Sequence, residues 1–82
     1  MAWCALVRTW NGERKRYDSL TLHIEDAQGP ACLVRLYDGE TAVAEASADS
    51  PHLAMAKALE LAREHLKDNS ITEDSLAWVQ AR

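Results

Sequence analysis

The chain has 82 residues, of which 48% are hydrophobic and 27% charged, with a formal net charge of −4. That balance belongs to a globular protein and argues against disorder, and the length sets one domain, 1–82, with a modest core and little room for a deep cleft. No apolar run approaches the ~18 residues a membrane helix needs, and the apolar stretch 2–7 is too short and lacks the basic flank of a secretory leader, so a cytoplasmic protein is expected.

Charge is unevenly placed. Residues 1–17 carry Arg8, Arg14, Lys15 and Arg16 against Glu13, a balance of +3, whereas residues 18–82 carry −7. An acidic body with a basic end is the least ordinary feature of the composition. Cys4 and Cys32 do not make a disulfide framework. Each sits in an apolar stretch and is read as a free, small hydrophobe, with a regulatory disulfide as the alternative.

Residues 2–10, AWCALVRTW, predict a strand rich in β-formers. Asn11-Gly12 follows, the dipeptide that suits a two-residue type I′ turn because both central positions need φ > 0. In that register Trp10 pairs with Glu13, Arg8 with Lys15 and Leu6 with Tyr17, which sets two cations opposite each other. LTLHIE, 20–25, alternates: Leu20, Leu22 and Ile24 on one face, Thr21, His23 and Glu25 on the other. It continues the second strand past an expected bulge near Asp18-Ser19. A turn is expected over 26–30, punctuated by Gly29-Pro30.

ACLVRLY, 31–37, predicts the next strand, Asp38-Gly39 a second type I′ turn, and ETAVAEAS, 40–47, the return strand, with Val34 facing Val43 and Leu33 facing Ala44. Both faces of this hairpin carry apolar residues, so the pattern does not say which one meets a helix. Ser50-Pro51 opens a helix to about Lys67, as N-cap and first helical residue. Met55, Ala58, Leu59, Ala62 and Leu66 form its apolar stripe, with Lys57, Glu60, Glu64 and Lys67 opposite. At the C-terminus Thr72 is a candidate N-cap, and Ile71 with Leu76 a hydrophobic staple. A short helix over 73–80 is favoured and a strand over 76–80 is the alternative. The expected fold is α+β: a four-stranded antiparallel meander (β-β-β-β) covered by one long amphipathic helix, then a short C-terminal helix.

Candidate chemistry is sparse. His23, His52 and His65 have no metal-ligand spacing, no nucleophile sits in a recognisable motif, and the three glycines, 12, 29 and 39, are used in turns. No catalytic residue, cofactor or metal is expected. The one candidate binding surface is the basic hairpin of Arg8, Trp10, Arg14, Lys15, Arg16 and Tyr17. Arginines there offer bidentate contacts to phosphate and aromatic rings offer stacking. Charges that keep a sheet edge from aggregating give the plainer explanation. Trp78, beside Leu76 and Val79, is a candidate interface residue.

The stretch LVRLYDGETAVAEASADSPHLAMAKALELAREHL, strands followed by one amphipathic helix, resembles the β-β-β-α core of double-stranded-RNA-binding domains and of HicB-type antitoxins. The likeness covers about residues 20–67, is one of order and length, and assigns no family. RNA-binding domains of that kind carry a basic cluster at the start of the last helix, where this helix has Lys57 alone. HicB-type proteins use the core to hold a partner toxin and to dimerise. The leading expectation is a small non-enzymatic protein-interaction module, homodimeric or bound to another protein, without membrane contact. The alternative is a nucleic-acid-binding accessory protein that uses the basic hairpin.

Overall fold

The computed structural model describes residues 2–26 and 31–81, apart from the side chain of residue 81. Five strands, β1 (Ala2–Asn11), β2 (Arg16–Asp26), β3 (Cys32–Asp38), β4 (Thr41–Ala48) and β5 (Val79–Ala81), form one sheet in the order β4-β3-β2-β1-β5. All neighbours pair antiparallel. One helix, α1 (Pro51–Leu66), crosses one face of the sheet, and a single 3-10 turn over Glu73–Ser75 precedes β5. The molecule is therefore α+β, with the four expected strands consecutive in the sheet. The expected turn at 26–30 lies outside the described residues for all but Asp26.

The first hairpin corrects the expected register. Trp10 pairs with Tyr17, Asn11 with Arg16 and Arg8 with Ser19, so the loop is residues 12–15 rather than Asn11-Gly12. Asn11 closes it in another way: its side-chain oxygen accepts from the Glu13 N–H (3.0 Å) and the Arg14 N–H (3.1 Å), as an Asx turn does. The left-handed residue is Lys15, φ +53. The expected Arg8–Lys15 repulsion does not arise. The shift is an even number of residues, so the in-and-out pattern survives it. No bulge interrupts β2 near Asp18-Ser19, and the register there is continuous.

The second hairpin also moves. Its loop is Gly39-Glu40, since Asp38 pairs with Thr41. The positive φ lies at Gly39 (+66) alone, as a type II′ turn requires. Val34 faces Ala46 and Leu36 faces Ala44, and the register slips between Leu36 and Tyr37, which leaves Val43 as the extra residue of a bulge. This register sets Ala44, Ala46 and Ala48 on the helix side, where small side chains let α1 approach.

The core lies between that side of the sheet and α1. Leu22, Ile24, Val34, Leu36, Val7 and Cys32 are essentially inaccessible, as are Ala54, Ala58 and Ala62 of the helix. A stripe of alanine brings the helix axis close to the sheet, and Met55, Leu59 and Leu66 fill its flanks. Ser50 caps the helix, its hydroxyl accepting from the Leu53 N–H at 3.2 Å, and Lys67 ends it in the left-handed conformation, φ +53.

α1 covers β3, β4 and part of β2. The chain then covers β1 with 68–78: Ile71 and Leu76 join the same core cluster as Ala5 and Val7. Two bonds fix this segment. Arg63 donates through Nε to the Ile71 carbonyl at 2.7 Å, and the Thr9 hydroxyl donates to Asp68. The expected helix over 73–80 is not formed. The staple pair Ile71 and Leu76 is buried as expected, but beyond Ser75 the pattern has period two: Leu76 in, Ala77 out, Trp78 half in, Val79 out. An eight-residue helix nucleates poorly, whereas β1 offers backbone partners at Ala2, Trp3 and Cys4.

Candidate binding surface

One face of the sheet is buried and the other carries no element among the described residues. Alternation decides what stands on that open face. From β1 it presents Cys4, Leu6, Arg8 and Trp10, from β2 Tyr17, Ser19, Thr21, His23 and Glu25, and from β3 Leu33, Arg35 and Tyr37, opposite in phase to the buried residues of each strand. Register sets them in rows across the strands: Val79, Cys4, His23, Arg35 and Glu45 in one, Leu6, Thr21 and Tyr37 in the next, Arg8 with Ser19, and Trp10 with Tyr17 at the end.

The face exposes large apolar and aromatic side chains. Leu6, Trp10, Tyr17 and Val79 are 55–61% exposed, and His23 meets Tyr37 edge to face, with ring centroids 4.9 Å apart. Its charges are largely balanced. Arg35 lies 3.1 Å from Glu45 and 3.9 Å from Glu25, and the hydrogen bonds to Glu45 and Tyr37 raise its pKa.

At one end the first hairpin outruns its neighbours. β3 pairs with β2 only as far as Thr21, and β5 pairs with β1 only from Ala2 to Cys4, so residues 8–19 extend as a two-stranded ribbon. The molecule is correspondingly long, 43 Å against 23 and 19 Å. The candidate residues read from the sequence divide within this ribbon. Arg8, Trp10 and Tyr17 share the open face: the Trp10 and Tyr17 rings meet edge to face at 5.2 Å, and the Arg8 guanidinium lies 4.9 Å from the Tyr17 centroid. Arg14 and Lys15 form the tip, both exposed. Arg16 points to the other face, 4.0 Å from Asp18. Arg14 and Arg16 also border a surface cleft of about 420 Å³ with Asp18, Asp38 and His65, so carboxylates share that side of the ribbon.

Trp78 stands away from this surface. It is half-buried against the core on the helix side, beside His52, Met55 and Leu76, so it does not cover the open face. The two cysteines lie on opposite sides of the sheet, Cys4 half-buried on the open face and Cys32 buried under the helix, and no disulfide joins them. That separation removes the regulatory disulfide between them. Among the described residues no polar or charged side chain is buried, and no three His, Cys, Asp or Glu side chains are grouped to hold a metal ion.

Leu6, Tyr37 and Val79 belong to the open face although the sequence pattern did not single them out. The alternation in 20–25 carried a signal for it, since it had already set His23 and Glu25 opposite the core, but extending that phase to β1, β3 and β5 needs the register. No helix of the described residues is long and apolar enough to cross a membrane. Comparison with family models, with curated proteins and with solved structures finds no match to this chain.

Proposed function

We propose that this protein is a small non-enzymatic interaction module that acts by protein–protein contact through the open face of its sheet, with a second copy of itself as the partner. The observation that carries the reading is the exposure of Leu6, Tyr17, Trp10 and Val79 on one uncovered face whose opposite side holds the core. Sheets with apolar residues on both sides ordinarily have something packed on each, and large aliphatic and aromatic side chains left in water are the usual mark of a contact surface.

A second copy suits this face in size and charge. Five strands at ~4.8 Å spacing make it about 24 Å wide and the ten residues of β1, at ~3.3 Å each, about 33 Å long, a footprint of at most about 800 Å², which is what each partner contributes to a standard interface. The cluster of Arg35, Glu45 and Glu25 carries both signs, so two copies related by a two-fold axis can meet without like charge dominating.

Light scattering coupled to size exclusion tests this directly. The expected mass at about 50 μM, a concentration that reveals a micromolar dimer, is twice the 9.1 kDa of one chain. Leu6→Lys, at a position 55% exposed, is expected to return a folded monomer. A wild-type monomer at that concentration contradicts the dimer.

A further inference from the structure

The ribbon supports a second binding site, which shares Trp10 and Tyr17 with the proposed contact between copies, so that nucleic acid and a second copy compete for these two rings. We propose that residues 8–17 bind single-stranded nucleic acid, with Trp10 and Tyr17 as the stacking surface and Arg8, Arg14 and Lys15 as the phosphate contacts. Three observations converge on it. First, the two aromatic rings are more than half exposed although they touch, so their outer surfaces are free. Second, among the described residues Arg8 lies against the Tyr17 ring with no carboxylate partner, and neither Arg14 nor Lys15 is paired with one. Third, these groups stand on a ribbon that passes beyond β3 and β5, so a strand can approach from its open side.

The geometry favours a single strand over a duplex. An aromatic platform takes the π-face of a base, and in a duplex those faces are already stacked on their neighbours. The acidic remainder of the chain, −7 over residues 18–82, repels phosphate everywhere else and confines a polyanion to the ribbon. An acidic protein surface could meet the same cations, and polyglutamate stands for it in the test.

The test is fluorescence anisotropy of a labelled oligothymidine of about 15 nucleotides, a length within the range of one small binding fold, together with tryptophan emission of the protein. Binding is expected at about 50 mM salt in the 1–100 μM range, steeply weakened by salt, with quenching of tryptophan emission. Trp10→Ala is expected to weaken it at least about fivefold, the low end of one stacked base. Trp10→Phe keeps a ring and is expected to retain most of the affinity. Arg14→Ser combined with Lys15→Ser is expected to lower the salt slope by roughly 1.4, at about 0.7 for each phosphate no longer neutralised on a single strand. Thermal melting checks that each variant is folded. Three results overturn the proposal: no binding at 100 μM, tighter binding of a duplex of the same length, or binding of polyglutamate or polyphosphate as tight as that of the oligonucleotide.

Discussion

The two faces of this sheet are built from the same five strands and differ in what their side chains meet. On one, Leu22, Ile24, Val34 and Leu36 are fully buried in one core cluster with Ala54, Ala58 and Ala62 of α1. On the other, Leu6 and Val79 stand in water beside Arg8, Arg35, His23 and two tyrosines. A single alternating strand serves both: in β1, Ala5 and Val7 are core while Leu6 between them is 55% exposed. An equally apolar side chain thus stabilises the fold in one position and leaves unfavourable exposed surface in the next. Substitution at equivalent depths on the two faces separates stability from interaction.

The largest expected effect is on the enclosed face. Leu22→Ala should cost about 3 kcal/mol, within the range for a buried leucine, measured by urea denaturation. In the monomer the same truncation at Leu6 should cost under about 1 kcal/mol, because most of that side chain is solvated there. Equal costs at the two sites would mean that the faces do not differ as described. Ala58→Leu probes the close approach of the helix. With no space at Ala58, the added atoms must push α1 off the sheet, for a loss of roughly 1–3 kcal/mol.

Smaller effects belong to the helix ends. Ser50→Ala removes the hydroxyl that accepts from Leu53 and should cost about 1 kcal/mol. Lys67→Gly should gain up to about 1 kcal/mol, because Lys67 holds a left-handed φ that glycine adopts freely. A loss there would show that the lysine side chain contributes more than its backbone costs.

The smallest is a pH effect at the loop that covers β1. Hydrogen bonds from Ser70 and Thr9 hold the Asp68 carboxyl below its usual pKa. A carboxylate depressed on folding adds stability that is present above the unfolded value, about 3.9, and is lost as pH falls through the folded value. The stability gap between wild type and Asp68→Asn should therefore be open at neutral pH and narrow below about pH 4. A gap that persists unchanged at about pH 2 would remove this role from Asp68.

Much of this fold was legible in the sequence because local signals and the final packing agree. The alternation of Leu20, Leu22 and Ile24, the Ser50-Pro51 start and Ala58 and Ala62 of the α1 stripe each reappear in place, whereas Ala54 completes the buried line and Met55, Leu59 and Leu66 lie at its flanks. The misses have a common cause, which is that a turn dipeptide states a preference and long-range pairing overrides it. Asn11 does organise its turn, but through its side chain and with the left-handed residue at Lys15. The C-terminal segment carries helix-start signals that yield one 3-10 turn, because the free edge of β1 at 2–4 supplies partners that no local window contains. For the candidate site, composition picked out the basic and aromatic residues. Only the register separates Arg8, Trp10 and Tyr17 from Arg16 and extends the surface to Leu6, Tyr37 and Val79.

The interaction module proposed here turns on the open face being a contact surface between copies of this chain. The solution mass of the wild type beside that of Leu6→Lys at the same concentration, with melting temperatures for both, tests that most sharply. A dimer is predicted for the wild type and a monomer for the variant, with melting in the variant no lower than loss of the dimer alone explains. A wild-type monomer, or a dimer that Leu6→Lys leaves intact, would contradict it.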